Sequence, residues 1–269
     1  MQVFRGIRAV FFDLDGTLVD STELILSSHE HTQRYHFNRT MDRRTLVRDM
    51  GRSLAETMHD YAVEFGCVDP AAAAAEMLAT YRHYQRFAEE RLMRPFPSVN
   101  EVLSILRGQG IATGVVTSKV AAVARPALAR YGLAPLLDVG IFHDDTAEHK
   151  PHPAPLLEAA GRAKVRPDRA VYVGDSTHDL VAGRAAGMKT IAALWGPYER
   201  ADLEEAGADW YADAPLDVLR AVGCEGVGRV GFGPDEGPGA CDGAAAVEGA
   251  AAEKGGVAAP DGPQGAGAP

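Results

Sequence analysis

The chain has 269 residues and a net charge of −10, with 46% hydrophobic and 24% charged side chains. That length holds one sizeable core plus a smaller second lobe, and the acidic balance argues against a nucleic-acid backbone as partner. No run of about 18 uncharged apolar residues exists, so no membrane span is expected.

The N-terminal MQVFRGIRAVFF meets Asp13 too early to be a secretory signal. Cys67, Cys224 and Cys241 lie far apart with no CxxC pair, which argues against a disulfide framework or a zinc site and fits a reducing, cytoplasmic location.

In chain order, the first apolar run is AVFF at 9–12, composed for a buried strand and stopped by Asp13. A second acid follows at Asp15, then Gly16 and Thr17. Residues 21–94 carry only helical signals. Asp20-Ser21 offers an N-cap to a helix with Leu24, Ile25 and Ser28 on one face, and Ser53 and Glu56 have capping-box spacing. Asp69 stands before Pro70 at the head of an alanine-rich helix reaching about Leu92. Arg94-Pro95-Phe96-Pro97 marks the return, its two prolines stiffening the joint.

Beyond that joint two textures alternate. Ser98 and Glu101 form a capping-box pattern that opens a helix through Leu103, Ile105 and Leu106, ended by Gly108 and Gly110. Strands are predicted at 111–117, 136–142, 170–175 and 189–194. Between them come helices from about Ala121 to Tyr131, after Pro153, and after Thr177 as far as Gly187. Alternation of this kind implies βαβ units, hence an α/β fold with a doubly wound parallel sheet. The chain is read as a core of residues 1–20 and 95–222, interrupted by an all-helical insertion at 21–94. The remaining segment, 223–269, holds 14 of the 29 glycines and almost no aromatic or β-branched residues, and is expected to be a disordered acidic tail.

In an open parallel sheet ligands bind beyond the carboxyl ends of the strands. Topology therefore brings together Asp13, the Thr117-Ser118-Lys119 step, Lys150 and Asp175. Clustered carboxylates repel unless a cation intervenes, and all-oxygen ligands suit Mg²⁺ together with a phosphate. Thr117 and Lys150 would donate to that anion, and the turn at Gly16 would offer backbone N–H groups. Ser118 and Lys119 also suit the start of the next helix. The histidines, among them His29, His31, His143, His149, His152 and His178, form no HExxH pattern and are read as surface or supporting residues.

DLDGTLVD, the strand ending in TSK, KPHPAP and GDSTHD resemble, in order and spacing, the four motifs of the haloacid dehalogenase-type phosphatases, over about residues 7–220. The resemblance implies a Rossmann-like core with an inserted helical cap. It makes Asp13 the nucleophile, Asp15 the general acid/base, Thr117 the hydroxyl that binds the transferring phosphoryl group, and Lys150 the balancing cation. Asp13, the Asp15 carbonyl and Asp175 would hold Mg²⁺, with Asp179 in support either of the metal or of Lys150. Arg52, after Gly51 in the cap loop, becomes a candidate substrate-binding residue, as do Gly16 and Ser118.

The cap resembles that of the phosphoglycolate phosphatase and β-phosphoglucomutase group. The sequences ELILSSHEHTQRYHF and LEEAGADWYADAPLDVL are most similar to the phosphoglycolate phosphatase branch and its pyrophosphatase relatives. A small phosphorylated metabolite is the expected partner, with pyrophosphate the alternative substrate and monomer and homodimer both open. A sugar-phosphate mutase is disfavoured because Arg52-Ser53-Leu54 lacks that group's Arg-Glu pair. A non-enzymatic phospho-acceptor receiver domain is disfavoured by Asp15 and by residues 21–94.

Overall fold

The computed structural model describes residues 2–224. Its main sheet has six parallel strands in the order β5-β4-β1-β6-β7-β8. These are β1 (Ala9–Phe12), β4 (Ala112–Val116), β5 (Val139–Ile141), β6 (Ala170–Gly174), β7 (Lys189–Ala193) and β8 (Trp210–Ala212). β1 is central, paired with β4 on one side and β6 on the other. The apolar runs expected to be strands are strands, AVFF with its bounds unchanged and the others trimmed by one to four residues, and β8 is an addition with no expected counterpart.

Period-two alternation divides the sheet between two cores. Val10, Phe12, Val171 and Val173 face one, with α5 (Val99–Gly108) and α6 (Ala121–Arg130) packed over them. Ala9, Phe11, Ala170 and Tyr172 face the other, covered by α7 (Ala154–Ala163) and α8 (Thr177–Ala185). A strand covered on both faces can be apolar along its whole length, which is why AVFF and AVYVG show no polar alternation.

Between β1 and β4 the chain forms α1 (Thr22–Phe37), α2 (Arg43–Arg48), α3 (Leu54–Glu64) and α4 (Pro70–Leu92). The way in and the way out run side by side as a short antiparallel ribbon, β2 (Val19–Asp20) against β3 (Arg94–Pro95). The four helices share a third apolar cluster around Leu26, Met58, Met77 and Tyr81, which continues into Leu180, Tyr198 and Leu203 beside the sheet. The Tyr198 hydroxyl reaches the Arg48 and Met50 carbonyls at 2.8 and 3.1 Å, fastening this helical segment to the loop after β7.

Helix starts show where local signals mislead. Asp69 caps α4 as expected, accepting from Ala72 N at 3.1 Å. Ser53 and Ser98 make no side-chain cap bond; Ser98 adopts the left-handed region (φ 65°), so neither expected capping box forms. Ser21 does not cap α1 either, because its hydroxyl is drawn to Asp15. The capping box that does form is Ser176–Asp179 on α8. Two further helices close the fold, α9 (Arg200–Ala206) and α10 (Asp217–Ala221). Of the expected disordered tail, Gly223 and Cys224 belong to the folded part, with Cys224 N donating to Leu219 O at 2.8 Å. The rest of that expectation lies outside the described residues.

Candidate active site

The carboxyl ends of β1, β4 and β6 meet the loop after β5 at one rim, and the side chains there separate into a buried layer and a cavity wall. In the buried layer Lys150 is 5% exposed. Its ammonium donates to Asp13 Oδ1 at 2.8 Å, to Asp179 Oδ1 at 2.6 Å and to the Tyr172 hydroxyl at 2.9 Å. Tyr172 in turn lies 3.0 Å from Val116 O, so a strand carbonyl from β4 anchors the far side. Ser176 donates to Asp179 Oδ2 at 2.6 Å, which ties the capping box of α8 to the same carboxylate. Asp175 accepts from the Thr17 hydroxyl at 2.7 Å.

Burial sets the proton affinities in this layer. It pushes Asp13 up to about 7; Lys150 opposes the shift, while Asp179 and Asp15 add repulsion. It raises Asp175 well above the carboxylate range, with repulsion from Asp179 and Asp13 in the same direction. Burial acts on Asp179 too, but the Lys150 charge and the bonds from Lys150 and Ser176 outweigh it and hold that carboxyl low. For Lys150 burial favours the neutral amine, and the charges of Asp13 and Asp179 overcome it and hold the pKa well above its ordinary value.

Oxygen atoms of Asp13, Asp175 and Asp179 lie within 4.8 Å of one another. Three carboxylates against one ammonium leave a formal charge of −2 in a buried site, and hard oxygen donors with that deficit fit a divalent cation such as Mg²⁺. Gly16 makes the approach possible. It has φ +82°, and a Cβ there would stand 2.3 Å from Asp175 Oδ2. Only glycine meets both demands. Of the backbone N–H groups of this turn, that of Gly16 is used in closing it, donating to Val19 O at 2.8 Å.

The cavity wall is lined by Asp13, Asp15, Thr117, Ser118 and Arg52 together with residues of α1 and α4. The two acids of the first motif thus occupy different surroundings: Asp13 against Lys150, Asp15 toward the cavity. Asp15 Oδ1 accepts from the Ser21 hydroxyl and from the Lys119 ammonium. The Ser118 hydroxyl donates to Gly51 O at 2.7 Å, tying the strand end to the cap loop, so it serves docking as well as lining the cavity. Arg52 lines the cavity but its guanidinium is held by Asp49 at 3.1 Å and Asp60 at 2.6 Å.

Sequence reasoning passed over several of these groups. Tyr172 is a polar-tipped aromatic inside a buried strand, and a buried hydroxyl needs a partner; that need was the available signal. Lys119, two residues past Thr117, reads equally well as a helix-start residue. Thr17 looked like part of a turn. His29, expected at the surface or in support, is 3% exposed, lines the cavity and packs between Tyr61 and Tyr81.

Burial lowers His29 from 6.5 to about 4, so it is neutral in the folded protein near neutral pH. Below pH 6.5 the unfolded chain takes up a proton that folded His29 refuses. Stability is therefore complete above that pH and is lost toward pH 4, by up to about 3 kcal/mol. His29→Phe is expected to flatten this part of the acid dependence of the thermal midpoint; parallel curves for both proteins would exclude it.

Fold and site together define a phosphatase: a doubly wound sheet whose first strand presents one buried and one cavity-facing aspartate beside a lysine and two further acids. The sequence profile of the haloacid dehalogenase-like hydrolases matches residues 10–193, and the chain belongs to that family. It is 34% identical over 213 residues to pyrophosphatase PpaX of Bacillus mycoides, spanning 79% of this chain and 95% of that one. Among solved structures, a predicted phosphoglycolate phosphatase of Haemophilus somnus superposes with a TM-score of 0.72 at 25% identity, over 80% of this chain and 97% of that one. A haloacid dehalogenase-like hydrolase of Streptococcus pneumoniae gives 0.68 at 27% identity, over 81% and 99%. Among the described residues no helix is long and apolar enough to cross a membrane.

Proposed function

We propose that the chain is a Mg²⁺-dependent phosphatase that hydrolyses a small phosphomonoester of the phosphoglycolate kind through an aspartyl-phosphate on Asp13. The observation that carries this reading is the Lys150 bridge between Asp13 and Asp179 with Asp15 turned to the cavity. Asp13 attacks phosphorus in line and the ester oxygen departs. Asp15 gives that oxygen its proton, then takes one from the water that cleaves the acyl phosphate. The Thr117 hydroxyl donates a hydrogen bond to the transferring phosphoryl group. Lys150 balances charge between nucleophile and phosphoryl oxygens, and Asp179, bonded to it, fixes its position. The Asp13 and Asp175 side chains and the Asp15 carbonyl would hold the metal, which when bound neutralises charge on the phosphoryl oxygens. Residues 21–94 act as the cap that excludes water and admits the substrate.

A second reading, pyrophosphate as substrate, is favoured by the 34% identity to a protein named pyrophosphatase. Both readings are tested by phosphate release from phosphoglycolate, pyrophosphate, a sugar phosphate and p-nitrophenyl phosphate, with magnesium and with a chelator. Turnover should appear only with magnesium and be fastest on one of the first two. Release that persists in chelator, or a preference for the sugar phosphate, would defeat the proposal.

A further inference from the structure

Asp15, the acid that faces the cavity, is held on one oxygen by two donors, the Ser21 hydroxyl and the Lys119 ammonium. The Lys119 side chain is 18% exposed and lines the cavity at the seam where Ser118 is bonded to the cap loop. The other cations on the wall are differently placed. Arg52 is committed to Asp49 and Asp60, and Lys150 lies in the buried layer behind Asp13. Arg82, exposed on α4, lines the same cavity and has no ion pair among the described residues. Lys119 is therefore the cation beside the acid/base that is both within the cavity and balanced by a single carboxylate.

We infer that Lys119 recognises a leaving group that carries its own negative charge, and that in doing so it releases Asp15 for proton transfer. This rests on the phosphatase reading above. A part-buried ammonium with three donors and one carboxylate partner retains capacity for a second anion. In a cavity closed by the cap, attraction between Lys119 and an incoming carboxylate or phosphate is stronger than in open water. A leaving group bound there lies on the Asp15 side of phosphorus, opposite the attacking Asp13. Sharing the ammonium loosens its hold on Asp15, so the acid becomes mobile when a substrate of the right charge is bound. A neutral alcohol gives Lys119 nothing to bind, and Asp15 stays tethered. Phosphoryl transfer itself proceeds as described, with no change in the bonds made or broken. Arg82, exposed and lining the same cavity, adds positive potential that attracts an anion.

The test is Lys119→Met, measured on two esters whose leaving group is an anion, phosphoglycolate and pyrophosphate, and two whose leaving group carries no fixed anion, glucose 1-phosphate and p-nitrophenyl phosphate. The expected result is a loss in kcat/KM of about 100-fold or more on the first pair, mostly through KM, and on the second a change of less than about tenfold with kcat raised rather than lowered, because Asp15 is then free of its tether. Lys119→Gln, which keeps a polar side chain, should show the same split, and both variants should melt near the wild-type midpoint. Equal losses on all four esters, or none on the charged pair, would overturn the inference while leaving the phosphatase reading standing. A wild-type protein that hydrolyses none of the four with magnesium present would overturn both.

Discussion

Asp13→Asn is expected to end turnover, lowering kcat by at least about 10⁴-fold, with the fold retained. The reasoning begins with where the side chain lies. Asp13 is 4% exposed at the end of the central strand, its backbone N–H bonded to Val173 O at 2.9 Å, so the carboxylate is held by the sheet itself. An amide of the same shape occupies that place without strain but is a poor nucleophile toward phosphorus. Stability should change little, because the substitution removes one of three mutually repelling carboxylates while Lys150 keeps Asp179 at 2.6 Å. The measurement is paired: phosphate release, and recovery of a phosphorylated chain after acid quench. Wild type should yield the phosphoenzyme and the variant none. Turnover within tenfold of wild type would remove Asp13 from the chemistry.

What could be read from the sequence follows from what is local. The strand runs AVFF, ATGVV and AVYVG are largely apolar because both faces of the sheet are covered, and they end beside the residues of the candidate site. The cluster of Asp13, Lys150 and Asp175 was legible for that reason: strand ends in a parallel sheet share one rim whatever lies between them. Asp179, inside α8, was expected only from the family resemblance. Helix caps were less legible. Ser21, Ser53 and Ser98 all have the right side chain at the right place, but the Ser21 hydroxyl goes to Asp15, Ser98 takes a left-handed backbone, and nothing in the structure explains why Ser53 leaves its helix uncapped. Tyr172 was passed over, and Lys119, though placed on the rim, was read as a helix-start residue, because their partners lie 22 and 104 residues away, a relation that no spacing encodes. For His29 the surface alternative fails and the supporting one stands, because a helix with polar residues on many sides gives no sign of which one the neighbouring helices will bury. Tyr61 and Tyr81 bury it, from α3 and α4.

The second large effect is expected at Lys150. Lys150→Met keeps nearly the same length and apolar stem, so the loss comes from the charge and from its bonds to Asp13, Asp179 and the Tyr172 hydroxyl. Without the ammonium, Asp13 and Asp179 lose a common partner at 2.8 and 2.6 Å in a buried site. Removing one member of a buried ion pair costs about 3–5 kcal/mol, because the remaining charge is left uncompensated. For a folded body of this size that corresponds to a drop of about 10 °C in thermal midpoint. Turnover should vanish as well, since nothing then balances the charge between nucleophile and phosphoryl oxygens. The double variant, Asp13→Asn with Lys150→Met, separates charge from shape. If the cost comes from an uncompensated carboxylate, neutralising Asp13 recovers part of it, and the double variant melts above Lys150→Met alone. If the two losses simply add, the lysine contributes packing rather than charge balance, and its place at the centre of the site would have to be explained in another way.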